Sequence, residues 1–239
     1  MQNLNIVIPC AGRGNRFIEQ GYKLPKLLIP IFGKPMIQWV VESLNMEGNY
    51  IFLCQKEHIE RYNLIHLLRL ISPRCTIVPV DGITEGAACT LMLAKTNIYN
   101  DNPLLVANSD QYIEWNSSDF INLMSNDYDG SILVFNATET KWSYVRTENN
   151  YITEVAEKKV ISNLATTGIY YFKHGKDCCI SIEEMISKDI RTNGEFYIAP
   201  CYNELINKGK KIIPYPVKRM MGLGTPEDLE YFINNYGTK

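Results

Sequence analysis

Arg16 and Lys26 are two cations ten residues apart, and both follow a loop of small residues, Cys10-Ala11-Gly12-Arg13-Gly14, that closes the apolar run Asn5-Ile6-Val7-Ile8-Pro9. A glycine-rich turn after a first strand points backbone N–H groups outward, and such groups bind a phosphate without side-chain charge. Gly12 and Gly14 permit close approach, and two fixed cations beside the cradle suit a triphosphate. Taken alone, a Gly-x-Gly pair after a strand equally describes an ordinary turn. A dinucleotide site needs a third small residue where Phe17 stands and a helix directly after the loop, whereas Glu19 to Pro35 carries three prolines and two glycines. A Walker A loop needs a Gly-Lys-Ser/Thr sequence that neither glycine is placed to supply.

The elements that must position this loop read as βαβ units. Apolar runs of strand length at 4–8, 50–54, 75–80 and 103–107 alternate with helical periodicity at 36–46, 57–71 and 86–95, the rhythm of a mainly parallel sheet. Met36, Val40, Val41 and Leu44 share one helical face, as do Ile65, Leu68 and Ile71, and core packing is their ordinary role. After residue 128 the pattern turns β-rich, with Glu148-Asn149-Asn150-Tyr151 reading as a hairpin turn. Ser181-Ile182-Glu183-Glu184 fits a capping box, a helix near 199–208 leads to a strand over 211–217, and Thr225-Pro226-Glu227-Asp228 caps a last amphipathic helix. With no linker, repeat or low-complexity tract, the chain is expected to form a single domain over 1–239.

The totals bound the chemistry. With 24 Lys+Arg against 26 Asp+Glu, nothing favours sustained contact with nucleic acid or an anionic membrane, so an anion must be met locally. Seven scattered cysteines without a Cys-x-x-Cys pair favour reduced thiols and a cytoplasmic protein. No apolar stretch reaches the roughly 18 residues of a membrane span, and the first strand lacks the flanks of a secretion signal.

The segments "AGRGNRF" and "PKLLIPIFGKPMI" resemble the amino-terminal signature of the nucleotidyltransferases that join a nucleoside monophosphate to a sugar 1-phosphate or a similar phosphorylated metabolite. This resemblance implies an α/β fold of GT-A type, Rossmann-like and three-layered, with a mainly parallel mixed central sheet and a β-rich acceptor-binding part. It divides the chain into a nucleotide-binding half, 1–128, and an acceptor-binding half, 129–239. Arg16 and Lys26 match the family's catalytic cations, and Pro9, Cys10, Ala11, Gly12, Arg13 and Gly14 fall on its phosphate loop. Asp81, Glu85, Gly86 and Ala87 lie where the family reads the base. Asn108 and Ser109 precede Asp110, which matches a magnesium-binding aspartate. Glu157 and Lys158 match a pair beside the acceptor, with Tyr144, Thr167 and Gly168 behind it. The family's second metal-binding acid has no counterpart, because Gly222 holds its place, and a capped first turn already explains Glu227 and Asp228.

The implied partners are an NTP and a small phosphorylated acceptor with Mg2+ as cofactor; homo-oligomer formation is left open. Three segments, "IPCAGRGNRF", "NSDQYIEW" and "EFYIAPCYNELI", are similar to a bacterial capsule and surface-polysaccharide branch. That branch includes cytidylyltransferases acting on acceptors such as phosphoglutamine, which favours CTP over dTTP or UTP. A GT-A glycosyltransferase using a nucleotide sugar is the alternative. Such enzymes commonly carry an Asp-x-Asp at the metal, whereas Asn108-Ser109-Asp110 offers one acid. A nucleotide-binding module without activity is a third reading, kept open by Gly222.

Overall fold

The computed structural model describes residues 3–236. β1 (Asn5–Pro9) is followed by α1 (Asn15–Glu19), a 3-10 turn at Lys26–Leu28, the hairpin of β2 (Pro30–Ile31) and β3 (Lys34–Pro35), and α2 (Met36–Leu44). Next come β4 (Asn49–Gln55), α3 (Lys56–Tyr62), α4 (Leu64–Ile71), β5 (Thr76–Val80), α5 (Ala87–Met92), α6 (Lys95–Ile98) and β6 (Leu104–Ala107). The remainder runs β7 (Gln111–Glu114), α7 (Ser117–Met124), β8 (Gly130–Asn136), β9 (Tyr144–Glu148), β10 (Tyr151–Ala156), β11 (Leu164–Phe172) and α8 (Gly175–Ser187). A 3-10 turn at Ala199–Cys201 opens into α9 (Tyr202–Asn207), then β12 (Ile212–Pro216), β13 (Arg219–Gly222) and α10 (Pro226–Asn235).

Nine strands form one mixed sheet in the order β10-β9-β11-β6-β1-β4-β5, with β8 beside β11 and β12 beside β8. β1 lies parallel between β4 and β6, with Val7 opposite Ile51 and Val106. Parallel strands covered by helices on both faces must be apolar on both, and β1 is buried along Asn5 to Ile8. Its alternation sends Ile6 and Ile8 to one core and Val7 to the other. The first core gathers Phe17, Trp39, Phe52 and Phe232; the second gathers Leu53, Val106, Phe172 and Tyr202. β11 ties the halves together, running antiparallel to β6 on one side and to β8 and β9 on the other.

Several sequence expectations need correction. The helix expected over 57–71 is two helices, because Asn63 adopts a left-handed φ of 53° between α3 and α4. Leu64 and Leu68 then face the core, while Ile65 is exposed. The stretch 86–95 holds the six-residue α5 and the first residue of a separate short helix, α6. A short helix, α1, does follow the first loop directly, so Arg16 is helical and Lys26 sits in a 3-10 turn; the prolines act later than expected. Ser181 caps nothing: α8 begins at Gly175, and the Ser181 hydroxyl donates back to Cys178 O at 2.9 Å inside the helix. The last helix starts as the sequence indicates, with Thr225 Oγ1 accepting from Asp228 N at 3.1 Å. The Asn149-Asn150 turn has φ of 50° and 67°, the paired positive values of a two-residue hairpin loop.

Candidate active site

Two clefts open at the carboxyl ends of the parallel strands and share the walls formed by Ala87, Asn108 and Asp110. The first, about 370 Å³, is lined by Pro9, Ala11, Gly12 and Arg13 from the loop after β1, together with Lys26, Gly86 and Ser109. Gly12 faces open space, with nothing within 4 Å of where a Cβ would lie, so the loop backbone is bare on that side. Gly14 has a different task. It caps α1 with a φ of 69°, and a Cβ there would come 3.1 Å from Lys26 Cβ, so the second glycine lets Lys26 pack against the loop. Lys26 Nζ donates to Asp110 Oδ2 at 2.8 Å, with both side chains mostly enclosed at 16% and 28% exposure.

Other expected nucleotide-side residues lie elsewhere. Cys10 turns into the core, where its Sγ meets Cys54 Sγ at 3.3 Å; that contact, and then burial, hold its thiol far above the ordinary range. Asp81 is exposed and does not line the cleft. Glu85 points away to pair with Arg191 at 2.6 Å, and Arg191 in turn lies 3.9 Å over the Phe196 ring. Gly86 has a φ of 130°, and a Cβ there would fall 2.4 Å from Phe196 O. Phe196 also donates its N–H to Glu85 O at 2.8 Å and accepts from Ala88 N at 3.0 Å. The missing side chain at Gly86 therefore seats a distant strand of backbone against the loop.

Residues the motif reading missed complete this cleft. Gln55 Nε2 donates to Ala11 O at 2.7 Å and to Gly82 O at 2.8 Å, tying the loop after β1 to the loop after β5 through one amide. Glu195 enters from beyond Arg191. A polar residue at the end of a strand read as apolar was the available signal for Gln55.

The second cleft, about 360 Å³, is lined by Arg16, Lys141, Trp142, Ser143, Glu157, Lys158, Thr167, Gly168 and Asp228, among others. Arg16 thus lines this cleft, while Lys26 lines the first. Tyr144 does not line it. As strand neighbours point to opposite faces, Ser143 turns to the cleft while Tyr144 is buried with its hydroxyl donating to Glu139 O at 2.7 Å. Lys158 Nζ donates to the Tyr197 hydroxyl. Burial pushes the Glu157 carboxyl above its usual range, and the Ser143 hydroxyl donating to it opposes that shift only in part. Gly168 has a φ of 76° at an irregularity in β11, and a Cβ there would collide with Asn108 Nδ2 at 2.3 Å and Gln111 Oε1 at 2.7 Å. The Asp228 carboxylate, 3.2 Å from where a Gly222 Cβ would lie, pairs with Lys141 at 3.1 Å.

The residues fit a magnesium ion at Asp110. Its Oδ2 already holds a cation, the Lys26 ammonium, where the clefts meet, and Gly224 leaves its flank bare, because a Cβ there would come within 3.0 Å of Oδ2. Among the described residues no group of three or more acids, histidines or cysteines is gathered for a metal. One carboxylate completed by phosphate oxygens and water is nonetheless a donor set that magnesium accepts.

Comparison with known proteins places this geometry. The nucleotidyl transferase family model matches residues 6–229, and the chain belongs to that family. It is 29% identical over 213 residues to the bifunctional protein GlmU of Methanocaldococcus jannaschii, a match covering 87% of this chain and 48% of that protein. It is 28% identical over 142 residues to the UTP–glucose-1-phosphate uridylyltransferase of Escherichia coli, covering 50% of this chain and 48% of that protein. The chain therefore spans about half the length of the curated relatives it matches. A nucleoside-diphosphate-sugar pyrophosphorylase from Vibrio cholerae superposes with a TM-score of 0.84 at 26% identity, covering 96% of this chain and 99% of that one. The fold matches that of a UDP-glucose pyrophosphorylase complexed with UDP-glucose, with a TM-score of 0.79 at 22% identity. No helix among the described residues is long and apolar enough to cross a membrane.

Proposed function

We propose that the chain is a single nucleotidyltransferase domain that transfers NMP from a pyrimidine NTP to a small phosphorylated acceptor and releases pyrophosphate. Residues 1–128 supply most of the nucleotide side and residues 129–239 most of the acceptor side, with Arg16 and Gln111 crossing to the second cleft and Glu195 to the first. The observation that carries this reading is the meeting of two clefts at Asp110, Asn108 and Ala87, with Lys26 resting on Asp110 at that junction. A reaction that joins two phosphorylated molecules needs two sites with one shared wall of charge.

No protein nucleophile is required, since the acceptor's phosphate dianion attacks the α-phosphorus in line with the departing pyrophosphate. The chain's work is positioning and charge stabilisation. The open backbone at Gly12 receives phosphate oxygens. Lys26, displaced from Asp110, neutralises the α-phosphate as its equatorial oxygens gain charge. Arg16, on the far wall, bears on the phosphate groups between the clefts. Asp110 would hold magnesium, which would supply Lewis-acid neutralisation of phosphate oxygens. Glu157 and Lys158 hold the acceptor, with Lys158 directed by Tyr197.

CTP is the preferred nucleotide, supported by the three segments similar to the capsule and surface-polysaccharide branch; dTTP and UTP come next. The Escherichia coli relative, a UTP–glucose-1-phosphate uridylyltransferase, keeps UTP in the comparison. The acceptor is a sugar 1-phosphate or a compound such as phosphoglutamine, and the setting is cytoplasmic synthesis of surface polysaccharide. A matrix of four NTPs against such acceptors with magnesium, read by pyrophosphate release, tests the proposal, with CTP expected to give the fastest turnover. Consumption of a UDP- or GDP-sugar, with no pyrophosphate from any NTP, would overturn it in favour of a glycosyltransferase.

A further inference from the structure

We infer that Gln111 and Thr167 are specificity-determining residues of the second cleft, and that they recognise an oxygen atom of the acceptor remote from its phosphate. The inference rests on the acceptor role proposed for that cleft. Both residues line it, and both are enclosed, Gln111 at 5% and Thr167 at 0% exposure. Gln111 Nε2 and Thr167 Oγ1 nevertheless have no hydrogen-bond partner. Five buried side-chain polar atoms among the described residues lack partners, and two of them belong to residues that line this one cleft. A buried polar group without a partner lowers stability, and folded chains keep few of them. Two in one cavity wall are explained when a ligand completes them.

The surroundings hold the Gln111 amide in place. β7 pairs with β13, with Gln111 opposite Gly222, so its backbone is fixed by a ladder. Its Oε1 lies over Gly168, where a Cβ would come within 2.7 Å, beside the Asn108 amide that forms part of both clefts. Gly168 is therefore bare so that two amides can lie across it. The orphan group on Gln111 is an N–H donor, and the Thr167 hydroxyl both donates and accepts, so the complementary ligand atom is an oxygen. A ring hydroxyl of a sugar phosphate and the carboxylate of an amino-acid phosphate both provide one.

The test measures steady-state pyrophosphate release by wild type, Gln111→Met, Gln111→Glu and Thr167→Val. Glucose 1-phosphate and phosphoglutamine serve as acceptors with CTP, UTP and dTTP, and thermal melting is recorded alongside. Gln111→Met keeps the length and removes the donor. We expect the acceptor KM to rise about 10- to 100-fold, the NTP KM to stay within about twofold, and the melting temperature not to fall. Thr167→Val provides the same comparison if Gln111→Met disturbs the β7–β13 ladder. Gln111→Glu separates the two oxygen sources: a hydroxyl can donate to the new carboxylate and keeps turnover, whereas an acceptor carboxylate is repelled and turnover falls by more than about 100-fold. An active wild type whose Gln111→Met and Thr167→Val variants both keep the acceptor KM overturns this inference alone. A wild type that releases no pyrophosphate with any pair overturns the functional reading, and this inference with it.

Discussion

The two clefts are nearly equal in size but differ in construction. The first cleft, to which we assign the nucleotide, centres on backbone: a loop after a parallel strand and a glycine open to the cleft, with side chains such as Lys26 and Gln55 around it. The other is a side-chain site, assembled from segments around 108–111, 141–143, 157–158, 166–170, 197 and 222–228. A backbone site can hold a phosphate whatever the rest of the ligand is. A side-chain site holds a particular arrangement of donors and acceptors, so under the proposed function specificity for the second substrate would reside there.

Replacing Lys26 tests the first side of this contrast and carries the largest expected effect. Lys26→Met should lower kcat by about 10²- to 10³-fold, or about 2.7–4 kcal/mol of barrier, by analogy with removing an oxyanion donor. Because Lys26 and Asp110 are paired, the double variant Lys26→Met/Asp110→Asn should lose less than the sum of the two singles, which a double-mutant cycle on kcat/KM measures. Additive losses would show that the two residues act at separate points and would dissolve the shared wall.

Gly86→Ala comes next. The new methyl group meets Phe196 O at 2.4 Å in a backbone conformation that L-residues rarely adopt. A destabilisation of about 1–3 kcal/mol in urea denaturation is expected. The NTP KM should rise with it, since Glu195, next to Phe196, lines the cleft proposed for the nucleotide. An unchanged midpoint would mean that the Phe196 backbone yields and that the glycine serves only the ligand.

The same contrast explains what the sequence made legible. The first loop could be read because backbone sites leave local marks: Gly12, Gly14 and the proline before Lys26 are close in the chain. Their individual roles could not. Gly14 admits Lys26, and Gly86 admits Phe196, and both partners are identified only by folding. Parallel strands buried on both faces announced the sheet, whereas the β7–β13 ribbon joins four-residue strands over a hundred positions apart, too short for a periodic signal. Asn63 broke the expected long helix because an asparagine in the left-handed region leaves no trace in hydrophobic spacing. In the second cleft, Glu157, Lys158, Thr167 and Gly168 were reached through resemblance, while Gln111, Lys141 and Tyr197 were not reached at all. Cys10 and Tyr144 lie next to Ala11 and Ser143, which line the clefts, but are themselves turned into the interior.

Glu157 sharpens the description of the second cleft through pH. Burial raises its folded-state pKa above the ordinary glutamate value, so the folded chain retains a proton that the unfolded chain has already lost. Stability from this group is fully present below the unfolded pKa and is lost as pH rises through the folded one. Relative to Glu157→Gln, the wild type should therefore lose melting temperature as pH increases from the ordinary glutamate range through that raised value. Parallel melting curves across that window would show that the carboxyl is solvated in solution.

Lys141 and Lys26 offer the closest comparison between the clefts, since each lysine holds one aspartate. The Lys141–Asp228 pair is the looser: Lys141 is 49% exposed, against 16% for Lys26, so solvent screens it and the long side chain loses entropy to form it. Lys141→Met should change stability by less than about 1 kcal/mol, with the difference shrinking further at high salt. Its effect on the acceptor KM should still exceed its effect on the NTP KM, because the ammonium faces the second cleft only. A stability loss as large as that of Gly86→Ala would mean that Asp228, beside the bare Gly222, depends on Lys141 as Asp110 depends on Lys26, and the two clefts would then be built alike.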